Sequence, residues 1–142
     1  MVTQRAFEYV ESQNSIFNED HFILKVPAGI GSKTELLAVL ASAGHFPEYF
    51  GGNWDALEDC LRDLSWISQK EVVILHNDLP LQGTPADCRI YLEVLQTVLA
   101  DWAEIARPNA AEPPSEWAYV DHDLRIVFPL EAEKTVAKLR GT

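Results

Sequence analysis

Two short apolar runs, EVVILH at Glu71–His76 and LRIVFP at 124–129, flank one long apolar run from Ala86 to about Ala106. Each short run has the length and the aliphatic, β-branched content of a buried strand. The stretch between them carries Ile90, Tyr91, Leu92, Val94, Leu95, Val98, Leu99 and Trp102. These residues fall nearly all round a helix, which is therefore expected to be well covered. A strand, a helix and a second strand in that order favour parallel pairing with a right-handed crossover. The chain is thus expected to fold in the α/β class.

Upstream segments extend the pattern. HFILKV, His21–Val26, reads as a further strand that PAGIGS terminates. Ser32 can cap a helix over SKTELLAVLASA, because Glu35 three residues later completes a capping box. Leu36, Leu37, Val39 and Leu40 give that helix its core stripe, and Gly44 is expected to close it. HFPEYFGGN reads as a loop, with Asn53 as the next N-cap. The helix from Trp54 to about Leu64 sorts into two arcs at ~100° per residue. Ala56, Leu57, Cys60, Leu61 and Leu64 share one, Asp55, Glu58, Asp59, Arg62 and Asp63 the other, and Trp54 lies at the edge. NDLPLQGTP is a loop, RPNAAEPPSE an exposed linker, and EAEKTVAKLR a short terminal helix. The DHD at 121–123 reads as a turn with a solvated His122, and AFEYV near the N-terminus is ambiguous.

The predicted order is β-α-α-β-α-β: a small three-stranded parallel sheet packed against three main helices, with extensions at both ends. A length of 142 residues suits a single domain over 1–142. Its core is expected at 21–129, with an N-terminal extension at 1–20 and a helix-prone tail at 130–142. Hydrophobic residues make up 47% of the chain, enough to bury a core without disulfides or metal. No apolar run approaches the ~20 residues that span a bilayer, and no secretory leader is expected from MVTQRAFEYVESQNS. The only cysteines, Cys60 and Cys88, are read as reduced and buried, which fits a cytoplasmic protein.

The net charge of −11 is unevenly spread. Between Thr34 and Cys88 stand nine acids, Glu35, Glu48, Asp55, Glu58, Asp59, Asp63, Glu71, Asp78 and Asp87, opposed only by Arg62 and Lys70. Such a surface repels nucleic acid and anionic membranes and attracts basic proteins. Solubility alone is the bland account of it. Catalysis finds little support. Asp55 and Asp59 face the same way on one helix turn, whereas paired catalytic carboxylates flank a bond from two sides. His21, His45, His76 and His122 are scattered, and none makes a zinc spacing with the cysteines. No metal, cofactor or catalytic residue is expected. A metal-dependent hydrolase using Asp55, Glu58 and Asp59 is the enzymatic rival. On the acidic arc, Asp55 gains from the helix dipole. Glu58, Asp59 and Asp63 need only be a solvated face, and Trp54 and Tyr49 divide between core packing and an aromatic contact beside the charge.

Like charges three or four apart destabilise a helix by a few tenths of a kcal/mol per pair, so the arc calls for a reason. FPEYFGGNWDALEDCL supplies one: it resembles the signature of the barstar family, intracellular inhibitors of the secreted ribonuclease barnase. Pro47, Glu48, Tyr49, Phe50, Gly51, Asn53, Asp55, Ala56, Leu57, Asp59, Cys60 and Leu61 match its pattern. The close likeness covers about sixteen residues, and beyond it the element order fits the family's sheet. The resemblance implies an inhibitor without cofactor whose helix plugs the active site of a basic secreted or toxin ribonuclease. By that likeness Asp59 stands for the RNA phosphate, Asp55 meets the same cationic groups, Tyr49 packs on the catalytic histidine, and Asn53 lies at the rim. Mutual repulsion among the acids would then be relieved on binding. Glu58 replaces a Trp of the family's namesake and Trp54 a Leu, which retunes the same face. Asp87 lies near the start of the third helix, where the family has a further acidic contact. No motif aligns it, and it receives no role. An acidic adaptor for another basic protein is the alternative, and a monomer the expected state.

Overall fold

The computed structural model describes residues 6–11, 20–48, 50–105 and 122–141. Strand β1 spans Glu8–Val10, β2 Phe22–Val26, β3 Glu71–His76 and β4 Asp123–Pro129. Helix α1 spans Lys33–Ala43, α2 Trp54–Asp63, α3 Pro85–Ile105 and α4 Glu133–Leu139, the last preceded by a single 3-10 turn at Leu130–Ala132. The four strands form one parallel sheet in the order β1-β4-β3-β2.

The α/β class and the order from β2 to β4 agree with expectation, but the sheet has four strands and not three. The extra strand is β1, which falls in the segment read as an N-terminal extension. Its pairing runs from Glu8 opposite Val127 to Val10 opposite Pro129. Phe7 meets Phe128 edge-on at 5.4 Å, and Arg125 binds Glu8 through both Nε and Nη2, at 2.8 and 2.6 Å. These contacts join residues more than a hundred positions apart, so no local pattern announces them.

Alternation along the strands sorts the sheet's two faces. Leu24, Val26, Val72, Ile74, Leu124, Ile126 and Phe128 join the large core that α1, α2 and α3 cover. Val73, Leu75 and Val127 point the other way, into a smaller cluster. In α3, Cys88, Tyr91, Leu92, Val94, Leu95, Val98, Leu99 and Trp102 are buried as its composition requires, whereas Ile90 is exposed. Both cysteines are free and buried.

Gly44 does end α1, though not by a left-handed turn. Its φ is −90°; what demands glycine is crowding, since a Cβ there would sit 2.7 Å from the Phe46 ring and 2.9 Å from the Leu40 carbonyl. The left-handed residue is its neighbour His45, at φ 54°. His122, expected in a solvated turn, is instead buried, and its Nε2 donates to the Leu64 carbonyl at 2.8 Å. The RPNAAEPPSE linker and the WAYV segment lie outside the described residues. Among the described residues no helix is long and apolar enough to cross a membrane.

Candidate partner-binding face

Helix α2 begins where the chain can turn sharply. Gly52 adopts φ 70°, open to glycine without strain, and Asn53 follows in extended conformation. The Asn53 side-chain oxygen accepts the Ala56 backbone N–H at 2.7 Å, satisfying one of the free donors of the first turn. Asp55 sits in that turn, exposed, where its charge favours the helix dipole. The inner arc is largely as expected: Leu57, Cys60, Leu61 and Leu64 are all at most 2% exposed, and Ala56 is half-buried.

The C-terminal end is tied down from two directions. Trp102 of α3 donates its indole N–H to the Leu61 carbonyl at 2.8 Å. His122, just before β4, supplies the bond to Leu64 already described. Leu64 itself closes the helix in a left-handed conformation, φ 49°, and donates its N–H to the Cys60 carbonyl at 3.1 Å. Helix ends leave carbonyls without intrahelical partners, and here buried side chains take them. Their donors come from separate elements, so the helix has little freedom to roll.

The first turn is anchored through Trp54. Its half-buried ring lies 6.2 Å from that of Tyr91, tilted by 33°, and Lys33 Nζ stands 5.4 Å from its centroid. The Tyr91 hydroxyl donates to His76 Nε2 at 2.7 Å, and His76 Nδ1–H donates to the Val127 carbonyl at 3.0 Å. That pairing fixes the neutral tautomer, because Nε2 must accept. The His76 ring stacks on Phe128 at 4.1 Å. Burial lowers the His76 pKa to about 4, against a smaller opposite pull from the Val127 carbonyl, and drives the Tyr91 phenol far up. A chain of packed rings thus leads from Trp54 to the centre of the sheet.

On the outer arc, Arg62 is central. Its Nη2 lies 3.2 Å from Glu58 Oε2 and 3.3 Å from Asp59 Oδ1, and its Nη1 lies 3.2 Å from Asp101 Oδ2 on α3. Glu58 has its side chain 30% exposed, while that of Asp59, bound to the same nitrogen, stands out at 74%. Asp55 has no partner among the described residues. Repulsion is therefore not simply held in reserve in the free protein: Arg62 already offsets it at Glu58 and Asp59, and Asp55 has the helix dipole. The acidic field still reaches inward. After burial, the charges of Asp63 and Asp59 help to raise the Cys60 thiol, which stays protonated.

Of the residues read as a binding surface, Asn53, Trp54, Asp55, Glu58 and Asp59 stand together on the first two turns of α2. Tyr49 lies outside the described residues. The sequence places Arg62 on the arc without giving it a role. Its signal was available in the spacings of three to Asp59 and four to Glu58. Asp101 had none, being 39 positions away. Among the described residues no group of three or more His, Cys, Asp or Glu side chains is placed to hold a metal ion.

Fold and face together define a small α/β protein with a rigid, outward-facing acidic helix. The chain belongs to the barstar family: residues 22–113, more than half its length, match the family described as Barstar (barnase inhibitor). The match takes in β2, α1, α2, β3 and α3, and leaves β1, β4 and α4 outside. Members of that family act as inhibitors of an enzyme and not as enzymes. No curated protein and no solved structure gives a match.

Proposed function

We propose that this protein is an intracellular inhibitor of a basic ribonuclease, either barnase-like or a toxin nuclease. It would block the active site with the outer face of α2. Asp59 takes the place of an RNA phosphate among the enzyme's cationic side chains, and Asp55 extends the same charge toward the helix N-terminus. Asn53, Trp54, Glu58 and Tyr49 form the surround. A ribonuclease active site must be cationic to bind a polyanion and stabilise phosphoryl charge, so a carboxylate held on a rigid helix is a fitting substitute. The observation that carries this reading is the exposure of Asp59 on a helix whose two ends are both fastened to the core.

On this reading the protein works in the cytoplasm as a single barstar-like domain, protecting its cell from enzyme not yet exported or delivered from outside. Its net charge of −11 speeds the encounter with a basic partner, an effect for which barnase–barstar is itself the standard example. The test is a titration against a small, basic, guanyl-specific ribonuclease, reading residual RNA cleavage. Stoichiometric inhibition that collapses with Asp59→Ala is expected. Undiminished inhibition by the variant would overturn the phosphate substitution. If the wild-type protein did not inhibit, the reading would pass to an adaptor for a different basic protein.

A further inference from the structure

Arg62 presents a puzzle if α2 is an inhibitory face, because it places a fixed cation among the carboxylates meant for a cationic enzyme. The geometry resolves it. Asp59 gives only Oδ1 to Arg62, while Oδ2 has no partner among the described residues. An ionised carboxylate has about four acceptor positions, so one internal bond leaves most of them open. The guanidinium is in turn tethered from below, since Nη1 is spent on Asp101 of a different helix. A planar fork holds the two elements at a fixed angle, whereas an ammonium is a point charge on a flexible stem.

We propose that Arg62 is a positioning residue of the acidic face. Held by Asp101 on α3, it fixes one oxygen of Asp59 and turns the other toward the partner. The same guanidinium also binds Glu58, which is the less exposed of the two, so Asp59 stands proud of it. Arg62 therefore stays in place in the complex and is not displaced from it. Freezing a long side chain and a carboxylate before binding removes ordering that would otherwise oppose association. Arg62 also lowers the negative charge of the face, so the encounter is slower than it would be without it.

This inference rests on the reading of α2 as an inhibitory face, and its test separates the two. Association and dissociation rates are measured against the guanyl-specific ribonuclease for the wild-type protein, Asp101→Asn, Arg62→Lys and Arg62→Gln, with equilibrium affinities of each in an Asp59→Ala background. Asp101→Asn leaves every group on the outer arc of α2 intact. It should nonetheless speed dissociation about fivefold, the upper end for a partly exposed ion pair. Arg62→Lys should match it without changing the association rate, and Arg62→Gln should associate faster and dissociate faster. The affinity losses of Asp101→Asn and Arg62→Lys should vanish once Asp59 is alanine, whereas the faster association of Arg62→Gln, a matter of net charge, should persist. In the free protein, 15N relaxation at Arg62 Nε should show an ordered group that loosens in Asp101→Asn. An order parameter below about 0.6 in the wild-type protein would overturn the proposal whatever the partner. So would an unchanged dissociation rate in Asp101→Asn, or an equal effect with and without Asp59. Failure of the wild-type protein to form a complex would instead strike the reading of the face itself.

Discussion

Helices α1 and α2 follow one another in the chain, have 11 and 10 residues, and are built alike on the inside. Each starts with a side-chain cap on the third backbone N–H, from Ser32 to Glu35 at 3.1 Å and from Asn53 to Ala56 at 2.7 Å. Each buries three side chains, Leu36, Leu37 and Leu40 in one, Leu57, Cys60 and Leu61 in the other. Their outsides differ. The exposed positions of α1 are Thr34, Glu35, Ala38 and Ser42, with a single acid. Those of α2 are Asp55, Asp59, Arg62 and Asp63, with Glu58 just beneath. A mixed, almost neutral surface is therefore enough to keep a helix of this length at the protein surface. The acids of α2 go beyond that need, and that contrast is what the proposed binding role accounts for.

The inner faces should respond equally. Leu36→Ala and Leu57→Ala each remove a fully buried side chain and should each cost about 2–5 kcal/mol of stability, read from denaturant unfolding. A large inequality between them would break the symmetry on which the comparison rests. The outer faces should respond oppositely. Asp59→Ala should weaken ribonuclease binding by about 2–5 kcal/mol, the range for a charged pair inside an interface, of which barnase–barstar is the standard case. Its stability should change by no more than about 0.5 kcal/mol. Ala38→Asp on α1 should leave binding within about twofold.

Acid should act on the support of α2, since its caps, Asn53 and Leu64, carry no titrating group. The folded pKa of His76, about 4, lies below its ordinary 6.5, so the unfolded chain binds the proton more readily. The stability this neutral histidine contributes is complete above pH 6.5 and falls as pH drops toward 4. The loss amounts to about 3 kcal/mol by the lower limit. His76→Phe, which removes the titrating group, should flatten that part of the pH profile of unfolding even if it lowers stability throughout. The smallest effects belong to the caps. Ser32→Ala and Asn53→Ala should each cost about 1 kcal/mol, and only Asn53→Ala should also disturb ribonuclease binding.

What could be read from the sequence follows the range of the interaction. EVVILH, the two capped helices and the long α3 declare themselves because period, caps and apolar content are local properties. The acid arc of α2 was equally visible, since a helix sorts its own residues by angle. β1 was not, because three residues become a strand only when β4 offers an edge, Phe128 a ring and Arg125 a partner for Glu8. His122 looked solvated because two aspartates flank it; the Leu64 carbonyl that draws it inside lies 58 residues away. Gly44 is legible as a helix end, but its need for glycine comes from the ring of Phe46 and not from its own φ. The tie from Arg62 to Asp101 belongs with these, half local and half not.

The central claim is that the outer face of α2, and not that of α1, meets the ribonuclease. Amide chemical shifts of the 15N-labelled protein, recorded with and without the catalytically inactive enzyme, test it most directly. The account predicts that the largest shifts fall on residues 53–63, with those of 33–43 nearly unmoved. Shifts concentrated on α1, or on the α3–α4 surface around Arg89, Lys138 and Arg140, would contradict it.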